Sequence, residues 1–112
     1  MKKSLVLSVA VFLALCIVFF GTLVLAAEKM EGKTGKALFK QHCEICHPDG
    51  GNIINPSFTL HRKELAAQGI TKPEGIINKM RNPGPGMTKF DEKTISDADA
   101  KKIAEYILDT FK

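Results

Sequence analysis

The sequence predicts an all-α domain of three to five short helices joined by long loops, preceded by an N-terminal hydrophobic helix. Three observations carry this. No segment alternates apolar and polar residues at the period of two that a half-buried strand needs. Apolar residues recur at helical spacing instead, most clearly in Ala100, Ile103, Ala104, Ile107 and Phe111. Residues 5–27 then form a 23-residue run without a charge, interrupted only by Ser8, Gly21 and Thr22. A chain of 112 residues holds one small domain at most.

Lys2 and Lys3 stand before the apolar run, and Val24-Leu25-Ala26 offers small residues where signal peptidase inspects the chain. This is the layout of an export signal. The run is longer than the usual signal core, however. As a helix it reaches about 35 Å, enough for a hydrocarbon core of about 30 Å. Residues 1–26 are therefore read as a signal peptide or an uncleaved membrane anchor, 27–33 as a flexible lead-in, and 34–112 as the domain. Either way the positive end stays cytoplasmic and the rest lies outside the inner membrane. The expected location is the periplasm, soluble after cleavage or anchored to the inner membrane without it. Cys16 follows bulky Leu15, which suits an ordinary apolar position better than a lipid-attachment site.

Thr34 is a suitable N-cap for a helix that carries Gly35, Leu38 and Phe39 into Cys43. Pro48, Asp49, Gly50, Gly51 and Asn52 are dense turn chemistry and end that run. A packed loop with Pro56 follows, then a short helix over 60–68 stopped by Gly69. Pro73 at an early position and Glu74 in the first turn open the next helix, whose apolar face is Ile76, Ile77 and Met80. Residues 81–90 read RNPGPGMTKF, and alternating proline and glycine forces an irregular loop. Ser96, with Asp99 three residues on, caps the last helix in the manner of a capping box.

Composition excludes several function classes. Without Lys2 and Lys3, 14 basic residues face 12 acidic ones, too mild a balance for nucleic-acid binding. Beyond the apolar run only Cys43 and Cys46 remain, so there is no disulfide framework. There is no Trp either. Domains this small commonly need a disulfide, metal or cofactor to complete the core.

Cys43-Glu44-Ile45-Cys46-His47 is a C-x-x-C-H motif, the attachment signature of c-type haem. One helical turn brings two thiols to one edge of a porphyrin, and the histidine follows beneath the iron. A thiol redox pair would want a helix start beside a βαβ unit, which is missing. A zinc site would want four ligands, and only a lone His61 follows. The iron's sixth ligand has four candidates. His42 adjoins Cys43 and lies on the wrong side. His61 sits in a charged stretch, and Met80 shares a core-facing helix face. Met87 stands in the Pro/Gly loop with no helix face to fill, and a thioether held by a stiff loop suits a ligand.

Together these stretches resemble the class I monohaem cytochromes c over residues 34–111. GKALFKQHCEICH is similar to that family's first helix and haem motif, NPSF to its proximal-histidine segment, and GMTKF to its methionine loop. The resemblance implies a cytochrome c-like domain wrapped around one covalently attached haem c. Cys43 and Cys46 would be thioethers, His47 the proximal iron ligand and Met87 the distal one, although Thr88 stands where the family often has Pro. It implies that the Pro56 carbonyl takes the His47 N–H, and that Tyr106 meets Gly35 and Phe39 where the first and last helices cross. Ile53, Ile54, Phe58, Leu60, Ile76, Ile77 and Phe90 would bury the haem. Arg62, Lys63, Lys79 and Arg81 would meet its propionates or an acidic partner, or be merely solvated. The implied function is electron transfer rather than enzymatic turnover. Partners would be other redox proteins, docked transiently at the exposed haem edge, with no nucleic acid and a membrane only if the N-terminal segment is retained. A haem-based sensor with a displaceable sixth ligand, and a membrane-tethered subunit of a larger respiratory complex, are the alternatives.

Overall fold

The computed structural model describes residues 2–28 and 32–112, with side chains described over 3–17 and from 32 onward. The chain forms two units, Met1–Gly32 and Lys33–Lys112. The first is helix α1, Lys2–Glu28. Its side chains from Lys3 to Ile17 are exposed, and no described stretch is long and apolar enough to cross a membrane. The cleavage residues 24–26 and lead-in residues 29–31 lie outside the residues described with side chains.

The second unit is all-helical among the described residues. It comprises α2 (Gly35–His42), a 3-10 turn (Pro48–Gly50), α3 (Arg62–Ala67), α4 (Pro73–Arg81) and α5 (Asp97–Thr110). Local chemistry sets most boundaries. The Thr34 hydroxyl accepts the Ala37 N–H at 3.2 Å, and the Ser96 hydroxyl accepts the Asp99 N–H at 3.2 Å, each satisfying a donor that a helix start leaves free. The Asp99 carboxylate lies 3.6 Å from Lys102 Nζ. Pro73 opens α4, and Glu74 faces the positive end of its dipole. The helix expected over 60–68 begins at Arg62 instead. The Leu60 N–H is already engaged by the Gly50 carbonyl at 2.7 Å, which holds that residue in the preceding loop.

Helix α5 packs against both α2 and α4. Leu38 and Phe39 of α2, Ile76 and Met80 of α4, and Ile103, Ala104 and Ile107 of α5 share one buried cluster. Each large side chain buried this way is worth about 1.5–3 kcal/mol. Ala100 and Ala104 are fully buried, and side chains that small let the helices approach closely. The Phe39 ring lies 5.4 Å from both the Tyr106 and Phe111 rings, in tilted packing.

The crossing of α2 over α5 depends on Gly35. A Cβ there would sit 2.3 Å from the Lys102 carbonyl oxygen and 3.0 Å from Tyr106 Cβ. Backbone cannot yield as a flexible side chain can. Gly35→Ala should therefore destabilise the domain by about 1–3 kcal/mol, the usual cost of overpacking. Thermal melts of wild type and variant check this; an unchanged melting temperature would mean that the crossing is not tight.

Candidate functional site

Helix α2 ends where the motif begins. The Cys43 and Glu44 N–H groups both donate to the Phe39 carbonyl, at 2.8 and 3.0 Å. The Cys46 and His47 N–H groups then donate to the Cys43 carbonyl at 3.1 and 2.9 Å. Residues 43–47 thus form one tight turn that carries both cysteines and the histidine. The cysteines are unbridged. Burial pushes the Cys43 thiol up to about 11, with Cys46 adding to the effect. A reactive dithiol instead has a thiol lowered into the thiolate range, the opposite of what burial does to Cys43. Among the described residues no three His, Cys, Asp or Glu side chains come together as a metal site.

The His47 ring is fixed through Nδ1, which lies 2.7 Å from the Gly51 carbonyl oxygen. A carbonyl only accepts, so Nδ1 carries the proton. Nε2 is left with its lone pair, the form in which imidazole binds metals. The expected partner was the Pro56 carbonyl. Gly51 holds that position instead, four residues after the histidine across the 3-10 turn, and Pro56 is exposed.

The turn forms one wall of an apolar cavity of about 500 Å³, within the range of cofactor sites. Cys43, Cys46 and His47 line it together with Met87, which lies 40 residues beyond His47. Met80 and His42 also reach it. His61 does not line it; its ring packs edge-on against Phe111 at 6.0 Å. Of the expected apolar residues, Ile54, Phe58, Leu60, Ile76 and Phe90 line the cavity and are joined by Leu65, Ile70 and Ile107. Ile53 and Ile77 do not: Ile53 is exposed, and Ile77 packs on the core cluster. Ile54 and Phe58 remain 60% and 50% exposed. They offer apolar surface that a large, flat, apolar group could cover, so the wall chemistry fits a haem.

Two clasps shape the cavity's loops, and neither was expected from the sequence. The Asn52 carbonyl accepts the Ile54 and Asn55 N–H groups at 2.9 Å each, while its amide donates to the Phe58 carbonyl at 2.9 Å. One side chain therefore folds the loop that presents Ile54 and Phe58. Arg81 closes the methionine loop. Nη1 donates to the Phe90 carbonyl at 3.1 Å and Nη2 pairs with Asp97 at 2.8 Å. Beside it the Phe90 N–H donates to the Met80 carbonyl at 2.9 Å. At the tip, Gly86 has φ +87, and a Cβ there would lie 2.9 Å from Ile54 Cγ2. Only glycine suits that backbone and that approach. Turn composition alone signalled Asn52; nothing local signalled the partners of Arg81.

Residues 31–107 match the family described as cytochrome C oxidase, cbb3-type, subunit III. Cytochrome c6 of Synechocystis sp. is 36% identical over 100 residues, covering 84% of this chain and 80% of that protein. Cytochrome c6 of Cyanidium caldarium is 32% identical over 108 residues, covering 96% and 94%. Among solved structures, outer membrane cytochrome F from Geobacter sulfurreducens is 46% identical with a TM-score of 0.68, covering 70% of this chain and 99% of that one. Cytochrome c6C from Synechococcus sp. is 26% identical with a TM-score of 0.65, covering 70% and 95%. The helical architecture, the C-x-x-C-H turn on an apolar cavity and these relatives lead to one conclusion: the chain belongs to the cytochrome c family as a small class I c-type cytochrome, and its cofactor is one covalently bound haem c.

Proposed function

We propose that this chain carries single electrons in the periplasm, with its haem bound through thioethers to Cys43 and Cys46 and its iron between His47 and Met87. The observation that carries the reading is the convergence of those four side chains on one apolar cavity. When bound, haem c supplies a one-electron Fe(III)/Fe(II) couple. The chain's own residues set how that couple behaves. His47, protonated at Nδ1, offers Nε2 in a fixed tautomer. The Met87 thioether favours the ferrous state over what a second histidine would give. Leu60, Leu65, Ile70, Ile76 and Ile107 exclude water and favour the less charged reduced form. The Arg81 clasp ties the end of the methionine loop to α4, which supports Met87 as a lasting ligand. This supports a carrier rather than an enzyme. Between the cysteines, Ile45 is 82% exposed. An apolar residue there suits brief docking of another redox protein beside the thioethers, since such encounters use small interfaces.

A second reading rests on the cbb3-type subunit description over residues 31–107 and on the uncharged run 5–27. If that run is retained, the same domain would serve as a tethered subunit of a respiratory complex rather than a free carrier.

In the haem-loaded protein, the ferrous spectrum should be unchanged by carbon monoxide, because Met87 occupies the position the gas needs. Met87→Ala should lose the methionine–iron charge-transfer band and bind carbon monoxide, while Met80→Leu should keep the wild-type spectrum. A Met87→Ala protein with the band intact would reassign the ligand, and a wild type that binds the gas readily would favour a sensor. Haem staining of fractionated cells should find the protein in the soluble periplasmic fraction; haem stain confined to membranes would favour the tethered subunit.

A further inference from the structure

Haem has two carboxylate side arms, and the site as described leaves them without partners. Four basic residues compete for that role, and the structure separates them. The Arg62 Nε donates to the Leu108 carbonyl at 2.9 Å at the end of α5, and Arg62 does not line the cavity. Arg81 is committed to Phe90 and Asp97. Lys63 is exposed on α3 and does not line the cavity. Lys79 does line it, and no hydrogen bond or ion pair engages its ammonium among the described residues.

The other titratable groups on the cavity wall are His42, His47, Cys43 and Cys46. Cys43, Cys46 and His47 belong to the attachment turn, and His42 packs edge-on against Phe90 at 6.1 Å. Lys79 is thus the one permanently cationic side chain on the described wall. It sits in the last turn of α4 and is itself exposed, at the cavity's margin rather than its depth. A lysine can lay its methylene stem along an apolar wall and keep its ammonium at the water boundary. A carboxylate at such a margin loses part of its hydration, and a cation within about 4–6 Å offsets that loss.

We propose that Lys79 is the anchor for a haem propionate, pairing with it at the cavity mouth and setting the haem's orientation and potential. This rests on the haem reading above. The bland role of Lys79 is a cation favourably placed at a helix C-terminus, which would leave the haem untouched. The test separates the two.

Covalent haem is first quantified in the full-length protein by its pyridine haemochrome. Reduction potentials are then measured at pH 7 for wild type, Lys79→Gln, Lys79→Arg and Lys63→Gln. Lys79→Gln should lower the potential, because removing a cation near the iron favours the ferric state. Lys79→Arg should restore it, and Lys63→Gln should have the smaller effect. In the wild-type ferrous protein, the Lys79 Cε protons should give NMR cross-peaks to the propionate methylenes. A Lys79→Gln shift no larger than that of Lys63→Gln, with the cross-peaks missing, overturns the proposal. Unchanged potential with altered salt dependence of reduction by an acidic redox protein would overturn it too, making Lys79 a docking residue. A wild type without covalent haem would instead overturn the functional reading on which the proposal stands.

Discussion

The crossing of α2 over α5 at Gly35 is the constraint on which the rest of the domain depends. Without a Cβ at that position the backbones approach to the Lys102 carbonyl, and Phe39 can seat itself among Tyr106 and Phe111. Phe39 then does a second task. Its carbonyl receives the N–H groups of Cys43 and Glu44, so the residue that locks the helix pair also starts the attachment turn. Core packing and cofactor geometry are coupled through one residue's side chain and main chain.

Beyond that crossing, the cavity combines faces of α3, α4 and α5 with long stretches of irregular backbone. Loops of this kind carry unsatisfied polar groups unless something engages them. Here single side chains supply the partners: Asn52 for the loop that presents Ile54 and Phe58, Arg81 for the methionine loop. Gly86 lets the two loops meet. The Arg81–Asp97 pair is largely exposed at Asp97 and contributes little by itself. The bond from Arg81 to the Phe90 carbonyl matters more, because it ties the loop's end to α4, where Met80 also receives the Phe90 N–H. A loop fastened at its base holds its side chains in place at low entropic cost.

The features legible in the sequence were those set within a few residues. Thr34, Pro73 and Ser96 announce helix starts because capping is a local hydrogen-bond problem. The C-x-x-C-H motif is legible because its chemistry is confined to one turn. What was not legible depended on distant partners. The His47 ring turned to Gly51 rather than Pro56 because the 3-10 turn brings that carbonyl within 2.7 Å. The third helix began late because Leu60 was claimed by Gly50. Arg62 and Arg81 read as candidate propionate partners, and only the folded chain revealed the carbonyls that had taken them. That elimination is also what singles out Lys79.

The most direct test of the central claim is mass spectrometry of a tryptic digest of the protein after treatment with a thiol-alkylating reagent. No lysine or arginine lies between Lys40 and Arg62, so one peptide carries Cys43, Cys46 and His47. The account predicts that this peptide carries the mass of one haem and that neither cysteine is alkylated. A haem-free peptide, with both thiols alkylated or joined as a disulfide, would contradict it.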